Sequence, residues 1–253
     1  MKIVAVLSFA FLLFSPAGNA LADEHDIYAD ATAAESRLPG DRERDAGRKP
    51  EEVLAFFGIG RGDKVLDMFS GGGYYTELLS RVVGPEGRVV AHMNTAYLSY
   101  SGEQFVARYK GARLPNVDIL FADNNRLHLE PLEYDAVLMV LSYHDVYYVD
   151  PENGWPELDV NEFLSEIHRA LKPGGVLGIV DHYAEEGSPP ETGETLHRID
   201  PGLVLRDLTR AGFVLDEASD ILRNPADDHG KPVFDPAVRG KTDRFVMRFR
   251  KPD

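Results

Sequence analysis

Lys64-Val65-Leu66-Asp67-Met68-Phe69-Ser70-Gly71-Gly72-Gly73-Tyr74-Tyr75-Thr76 is a short apolar run that ends at an acid and passes into a glycine turn. A β-strand that stops at a carboxylate and feeds such a turn into a helix brings bare backbone N–H groups close to a ligand, at the carboxyl edge of a sheet. This is the local geometry of a nucleotide-type cofactor site. The spacing separates the cofactors that use it. The dinucleotide fingerprint G-x-G-x-x-G, counted from Gly71, needs its third glycine where Thr76 stands, and NAD is therefore disfavoured.

Outward from this stretch, strand and helix signals alternate, the pattern of a mostly parallel sheet covered on both faces. Upstream, Pro50 to Phe57 has proline at a helix start, acids in the first turn and apolar residues at helical spacing, closed by Gly58. Downstream, helices are predicted over Tyr75 to Val83, Ser101 to Lys110, Asn161 to Leu171 and Asp200 to Ala211. Strands are predicted at Arg88 to Ala91, Val117 to Phe121, Tyr134 to Leu141 and Val176 to Val180. Tyr134 to Leu141 is apolar enough for a central strand buried on both sides. Phe213 to Asp216 and Phe245 to Phe249 read as a closing antiparallel pair.

Met1-Lys2, the apolar run Ile3 to Phe14 and the small-x-small end Ala20-Leu21-Ala22 are the three parts of a secretory signal peptide. Cleavage is expected before Asp23, giving a periplasmic or secreted chain; twelve apolar residues fall short of the ~20 that span a membrane. Residues 23–46 are polar and charged and read as a solvated lead-in with one short helix, leaving 47–253 as the domain. The formal charge is −15, and removal of the leader takes away Lys2 and no acid. So acidic a surface, without a Lys/Arg-rich run, makes nucleic acid an unfavourable partner. The absence of cysteine excludes disulfides, thiolate metal sites and a cysteine nucleophile.

Three further segments join the Asp67, Gly71, Gly73 register of the glycine turn in order: Ala122-Asp123 after the third strand, Tyr134-Asp135-Ala136-Val137, and Leu171-Lys172-Pro173-Gly174-Gly175-Val176-Leu177. Together they resemble the ordered motifs of class I S-adenosylmethionine-dependent methyltransferases, from about Arg48 onward. The chain is most similar to a subgroup of predicted bacterial methyltransferases with signal peptides, sharing Tyr143-His144-Asp145-Val146-Tyr147-Tyr148 and the tail around Thr242-Asp243-Arg244-Phe245. The resemblance implies a Rossmann-like α/β three-layer sandwich. Its seven-stranded, mostly parallel sheet would end in an antiparallel strand, with Gly71 to Gly73 at the switch point between the first and fourth strands. It also implies S-adenosylmethionine as cofactor, held by Asp67, Phe69, Ser70, Gly71, Gly73, Asn94, Asp123 and Asn124, with a small-molecule acceptor. Two departures stand out: Phe69 replaces a family glycine, and Asn94 replaces the acid that accepts both ribose hydroxyls. An amide has one acceptor oxygen where a carboxylate has two.

Methyl transfer is an in-line displacement in which positioning supplies most of the acceleration, and a base serves only acceptors that carry a proton. Beyond the fourth and fifth strands the chain places His144, Asp145, Tyr147, Tyr148, Asp181 and His182. His144 is the leading base, with Asp145 expected to orient it and His182 beside it, because histidine titrates near neutrality. His197, ahead of a late helix, is placed to reach the same mouth as a lid. Two other readings remain open: metal binding by His144, Asp145, Asp181 and His182, although their spacing matches no known ligand motif, and an exported non-catalytic module for another small molecule.

Overall fold

The structure, a computed structural model, describes residues 20–253, with side chains from Ile27 onward. The central stretch forms strand β1 (Lys64–Met68), which pairs in parallel with β2 (Arg88–Met93) on one side and β4 (Tyr134–Val140) on the other. Strands β3 (Val117–Phe121), β5 (Leu171–His182), β6 (Val214–Ser219) and β7 (Arg244–Arg250) complete a seven-stranded sheet of order β3-β2-β1-β4-β5-β7-β6. β7 runs antiparallel to both β5 and β6. Successive strands are laid down in one direction from β1 to β3 and in the other from β4 onward, so the glycine turn sits at the switch point where ligands enter such sheets.

Alternation along the strands sends side chains to opposite faces. Leu66, Met68, Val137 and Met139 join a core with Phe163, Leu164 and Ile167 of helix α6 (Val160–Ala170) and with Val204 and Leu208 of α8 (Pro201–Arg210). Val65, Val89 and Leu138 face the other way. They pack with Leu78, Leu79 and Val82 of α4 (Tyr74–Val83) and with Val53, Leu54 and Phe57 of α3 (Pro50–Phe57).

Three departures from the sequence reading matter for the site. The segment taken as a solvated lead-in is two helices, α1 (Ala20–Ala33) and α2 (Asp41–Arg48), docked on the second face. Tyr28 and Ala31 are buried, and the Tyr28 hydroxyl donates to the Ile59 carbonyl at 2.7 Å. Its charges turn inward and pair: Arg37 makes a bidentate contact with Asp45 at 2.6 and 2.7 Å, and buried Asp41 meets Arg108 at 2.6 Å. Second, α5 spans Thr95–Tyr109, six residues earlier than expected, because Asn94 caps it by accepting from the Tyr97 amide at 2.8 Å. Third, β5 extends to Asp181 and His182, carrying both into the carboxyl edge.

The leader assigned to Met1 to Ala22 lies largely outside the described residues; the backbone of α1 begins at Ala20 and continues through the expected cleavage point. Among the described residues no helix is long and apolar enough to cross a membrane.

Candidate functional site

The glycine turn is built as the sequence suggests. Phe69, Gly71 and Gly73 all have positive φ (56°, 54° and 72°), and Gly73 leads directly into α4. The Ser70 amide and hydroxyl both donate to the His92 carbonyl, at 3.0 and 2.9 Å, tying the turn to the end of β2. What lies over the turn is α5. A Cβ on Gly71 would stand 3.6 Å from the Tyr97 ring, one on Gly72 would press to 2.9 Å from Cβ of Gln104, and one on Gly73 would reach 3.1 Å from Cγ of Arg108. Arg108 also donates through Nε to the Gly72 carbonyl at 3.0 Å. The glycines thus allow a close approach, and in this structure it is the chain's own helix that makes it.

Phe69 closes the space further. Left-handed backbone is costly for a bulky residue and persists only where its surroundings hold it. Here its ring stacks on Tyr97 (5.8 Å, 17°) and Phe163 (5.8 Å, 16°) and meets His92 edge-on. Asp67 is engaged by the first turn of α4: it accepts from the Thr76 hydroxyl at 2.5 Å, and burial pushes its pKa up to about 7 against the downward pull of the Thr76 hydrogen bonds. Asn94, expected to hold a ribose, spends its oxygen on the cap and donates Nδ2 to Asn124 Oδ1 at 2.8 Å. Asp123 is exposed.

Unpaired polar atoms nonetheless collect at this edge. His92 Nε2 sits 3.0 Å from the Ala122 carbonyl, which can only accept, so that nitrogen carries the proton and Nδ1 is a bare acceptor. Burial drives the His92 pKa down to about 4. His92 Nδ1, Asn124 Nδ2 and Ser142 Oγ are buried without a protein partner, and each such atom costs about 1–3 kcal/mol. This donor and acceptor set, beside a glycine cradle, fits a nucleoside-bearing cofactor once the Tyr97 ring withdraws.

The second region lies beyond β4 and β5. A 3₁₀ turn, Tyr143–Tyr147, follows β4 and presents His144. Asp181, fully buried in β5, accepts from the His144 amide at 2.8 Å and pairs with His144 Nδ1 at 2.9 Å. Asp181, not Asp145, therefore orients the imidazole. Asp145 lies on the opposite nitrogen, with Oδ1 3.4 Å from Nε2, while its Oδ2 accepts from the Tyr97 hydroxyl at 2.5 Å. Burial presses the His144 pKa down, but Asp181 and Asp145 outweigh it and hold it up at about 9. Both carboxylates therefore favour the protonated form of this histidine at neutral pH.

His197 stands beside it, the rings 5.4 Å apart and perpendicular. His182 is 6.1 Å from His144, with Nδ1 held by the Thr242 hydroxyl at 2.7 Å. Burial, then the neighbouring His144 charge, keep both His182 and His197 below the ordinary histidine pKa. The sequence reading missed Tyr97, which touches both regions. It placed Asp181 at the acceptor rim and among the metal ligands but gave it no part in orienting His144, although an acid directly after the apolar run Val176 to Val180 is a visible sign of a buried carboxylate.

Residues 66–179 match the family model described as "Methyltransferase domain". The domain has the fold of the class I methyltransferases. A demethylmenaquinone methyltransferase from Staphylococcus aureus is 30% identical over 128 residues, which cover 50% of this chain and 46% of that protein. The chain thus spans about half the length of the curated relatives it matches. Among solved structures, an S-adenosylmethionine-dependent methyltransferase from Aquifex aeolicus aligns with a TM-score of 0.55 and 24% identity, over 82% of this chain and 98% of that one. The cyclase SpnF aligns with a TM-score of 0.57 and 19% identity, over 92% of this chain and 94% of its own. At these identities the structural matches establish the fold.

Proposed function

We propose that the protein is an S-adenosylmethionine-dependent methyltransferase of a small-molecule acceptor, working behind a movable cover formed by α5. One observation carries the reading: the glycine turn stands at the β1/β4 switch point of a methyltransferase domain, with unpaired buried polar atoms grouped beside it. The cofactor, when bound, supplies an electrophilic methyl group. The chain's residues bind and exclude water: Gly71 and Gly73 admit close approach, Asn124 Nδ2 and Ser142 Oγ offer polar contacts, and Phe69 and Tyr97 wall the space with aromatic faces, which attract a cationic centre. The acidic surface favours an uncharged or cationic acceptor.

Export belongs to the same proposal. The leader-like Met1 to Ala22 would be removed to give a mature chain starting at Asp23 in the periplasm or outside the cell. Mass spectrometry of the N-terminus with cell fractionation tests this, and an intact Met1 or Lys2 terminus in the cytosol would refute it.

Calorimetry against S-adenosylmethionine and S-adenosylhomocysteine tests the cofactor. Saturable binding by the wild type, or by Tyr97→Ala with its cradle uncovered, is expected. Absence of heat from both at millimolar ligand would leave a non-catalytic module on a methyltransferase fold.

A further inference from the structure

We propose that His144, Asp145 and His197 form a binding site for a divalent transition-metal ion, zinc or iron(II), distinct from the glycine turn. One ligand atom from each residue lies within 4.8 Å of the other two. Ligands about 2.1 Å from a common centre, in tetrahedral or octahedral array, are about 3.0–3.4 Å apart. The Nε2 to Oδ1 separation of His144 and Asp145 is 3.4 Å, so that edge is already at ligand spacing and closing the third requires only a small movement of His197.

The supporting contacts are those a metal site uses. His144 directs Nδ1 at Asp181, which fixes the tautomer, turns Nε2 towards Asp145 and makes the ring a stronger donor. Asp145 is steadied through its other oxygen by Tyr97. His197 has a left-handed backbone (φ 52°), an uncommon state for a non-glycine, and its ring is held by Tyr148, stacked at 6.0 Å and 24°, and by Phe234 at 4.8 Å. Two imidazoles and one carboxylate suit zinc or iron(II) and not calcium or magnesium, which prefer all-oxygen shells. Three protein ligands leave coordination positions open to water or a small molecule. The sequence reading placed His182 in the metal set and omitted His197; the Thr242 contact and the larger distance move His182 out of the ligand set and His197 into it. This inference does not depend on whether the glycine turn binds a cofactor.

The test is titration of tag-free full-length protein, stripped with a chelator, with Zn²⁺ by calorimetry and with Co²⁺ by visible absorption. One equivalent is expected to bind, with cobalt bands of a nitrogen-containing low-symmetry site. Asp181→Asn should weaken binding about 10-fold through the lost support of His144. His197→Ala and Asp145→Asn should weaken it further, and exposed His128→Ala should leave it unchanged. If His144→Ala does not fold, the half-buried His197 supplies the decisive variant. No saturable uptake at about 100 µM metal, or the same affinity in His197→Ala as in His128→Ala, would overturn the proposal.

Discussion

The two regions at the carboxyl edge of this sheet differ in how far the chain has satisfied them. Over the glycine turn, α5 supplies the close contacts that a ligand would make: Tyr97 at Gly71, Gln104 at Gly72 and Arg108 at Gly73. Beyond β4 and β5, two carboxylates and three imidazoles crowd together, and the protein balances them only by keeping a proton on His144. In the covered cradle the chain's own aromatic and aliphatic contacts stand in for those of a ligand. The second region is held by buried charge pairs, so a bound cation or the loss of one partner should alter stability most there.

The sharpest test of this contrast is Asp181→Ala. It removes the buried acceptor of the His144 side chain and of two backbone amides, and leaves a buried imidazolium facing only Asp145. Removing one partner of a buried pair costs about 3–5 kcal/mol, and denaturant unfolding should show a loss of that size. A loss below 1 kcal/mol would mean that water screens the cluster and that Asp181 holds no such buried pair.

Arg108→Ala addresses the other region. Arg108 is buried, bonds Asp41 at 2.6 Å, pairs with Glu77 and holds the Gly72 carbonyl, so it pins the end of α5 on the turn. Asp41 keeps Arg44, and Glu77 keeps Arg81 and Arg113, so the expected loss is lower, roughly 3 kcal/mol. Hydrogen exchange should quicken across 95–109 more than in α4. Uniform quickening would mean that α5 is not a separate cover.

These residues also mark where sequence reading stopped. β1, β4 and the closing antiparallel pair were legible because alternation and apolar runs are local signals. The burial of α1 and α2 was not, since Asp41 and Arg108 are 67 positions apart and the composition around Asp41 is that of a solvated segment. The same limit hid the role of Asp181, 37 positions from His144. Asn94 was read as a cofactor contact because its place after β2 was recognised; its short side chain is equally suited to capping a helix, and that cap sets where α5 begins.

Asp67 gives the comparison a pH dependence. Its folded-state pKa of about 7 lies above the unfolded value near 3.9, so between these the native state holds a proton that the unfolded state releases. Stability from this group therefore falls as pH rises from about 4 to about 7 and levels off above. Asp67→Asn removes that slope while retaining an acceptor for Thr76. Its melting temperature relative to wild type should climb across this window by roughly 10 °C, the two pKa values differing by about 4 kcal/mol in free energy and each kcal/mol moving a domain of this size by about 2–4 °C. A constant difference between pH 4 and pH 8 would show that Asp67 is ionised throughout.

The smallest effect belongs to Tyr97, a side chain that touches both regions. Its ring covers Gly71 and stacks on Phe69, while its hydroxyl donates to Asp145. Tyr97→Phe keeps the ring and removes only the hydrogen bond to a charged group, an expected loss of about 1.5–3 kcal/mol if that bond is fully formed and less where water replaces it. Asp145 is half-buried, so water can reach it, and about 1 kcal/mol is expected. The discriminating readout is ligand binding at each region in turn. If Tyr97 latches the cover to the charged cluster, the phenylalanine variant should bind S-adenosylhomocysteine more tightly than wild type and Zn²⁺ more weakly, because one hydroxyl both restrains α5 and steadies Asp145. Equal affinities in wild type and variant for both ligands would show that the two regions share a sheet edge without acting on each other.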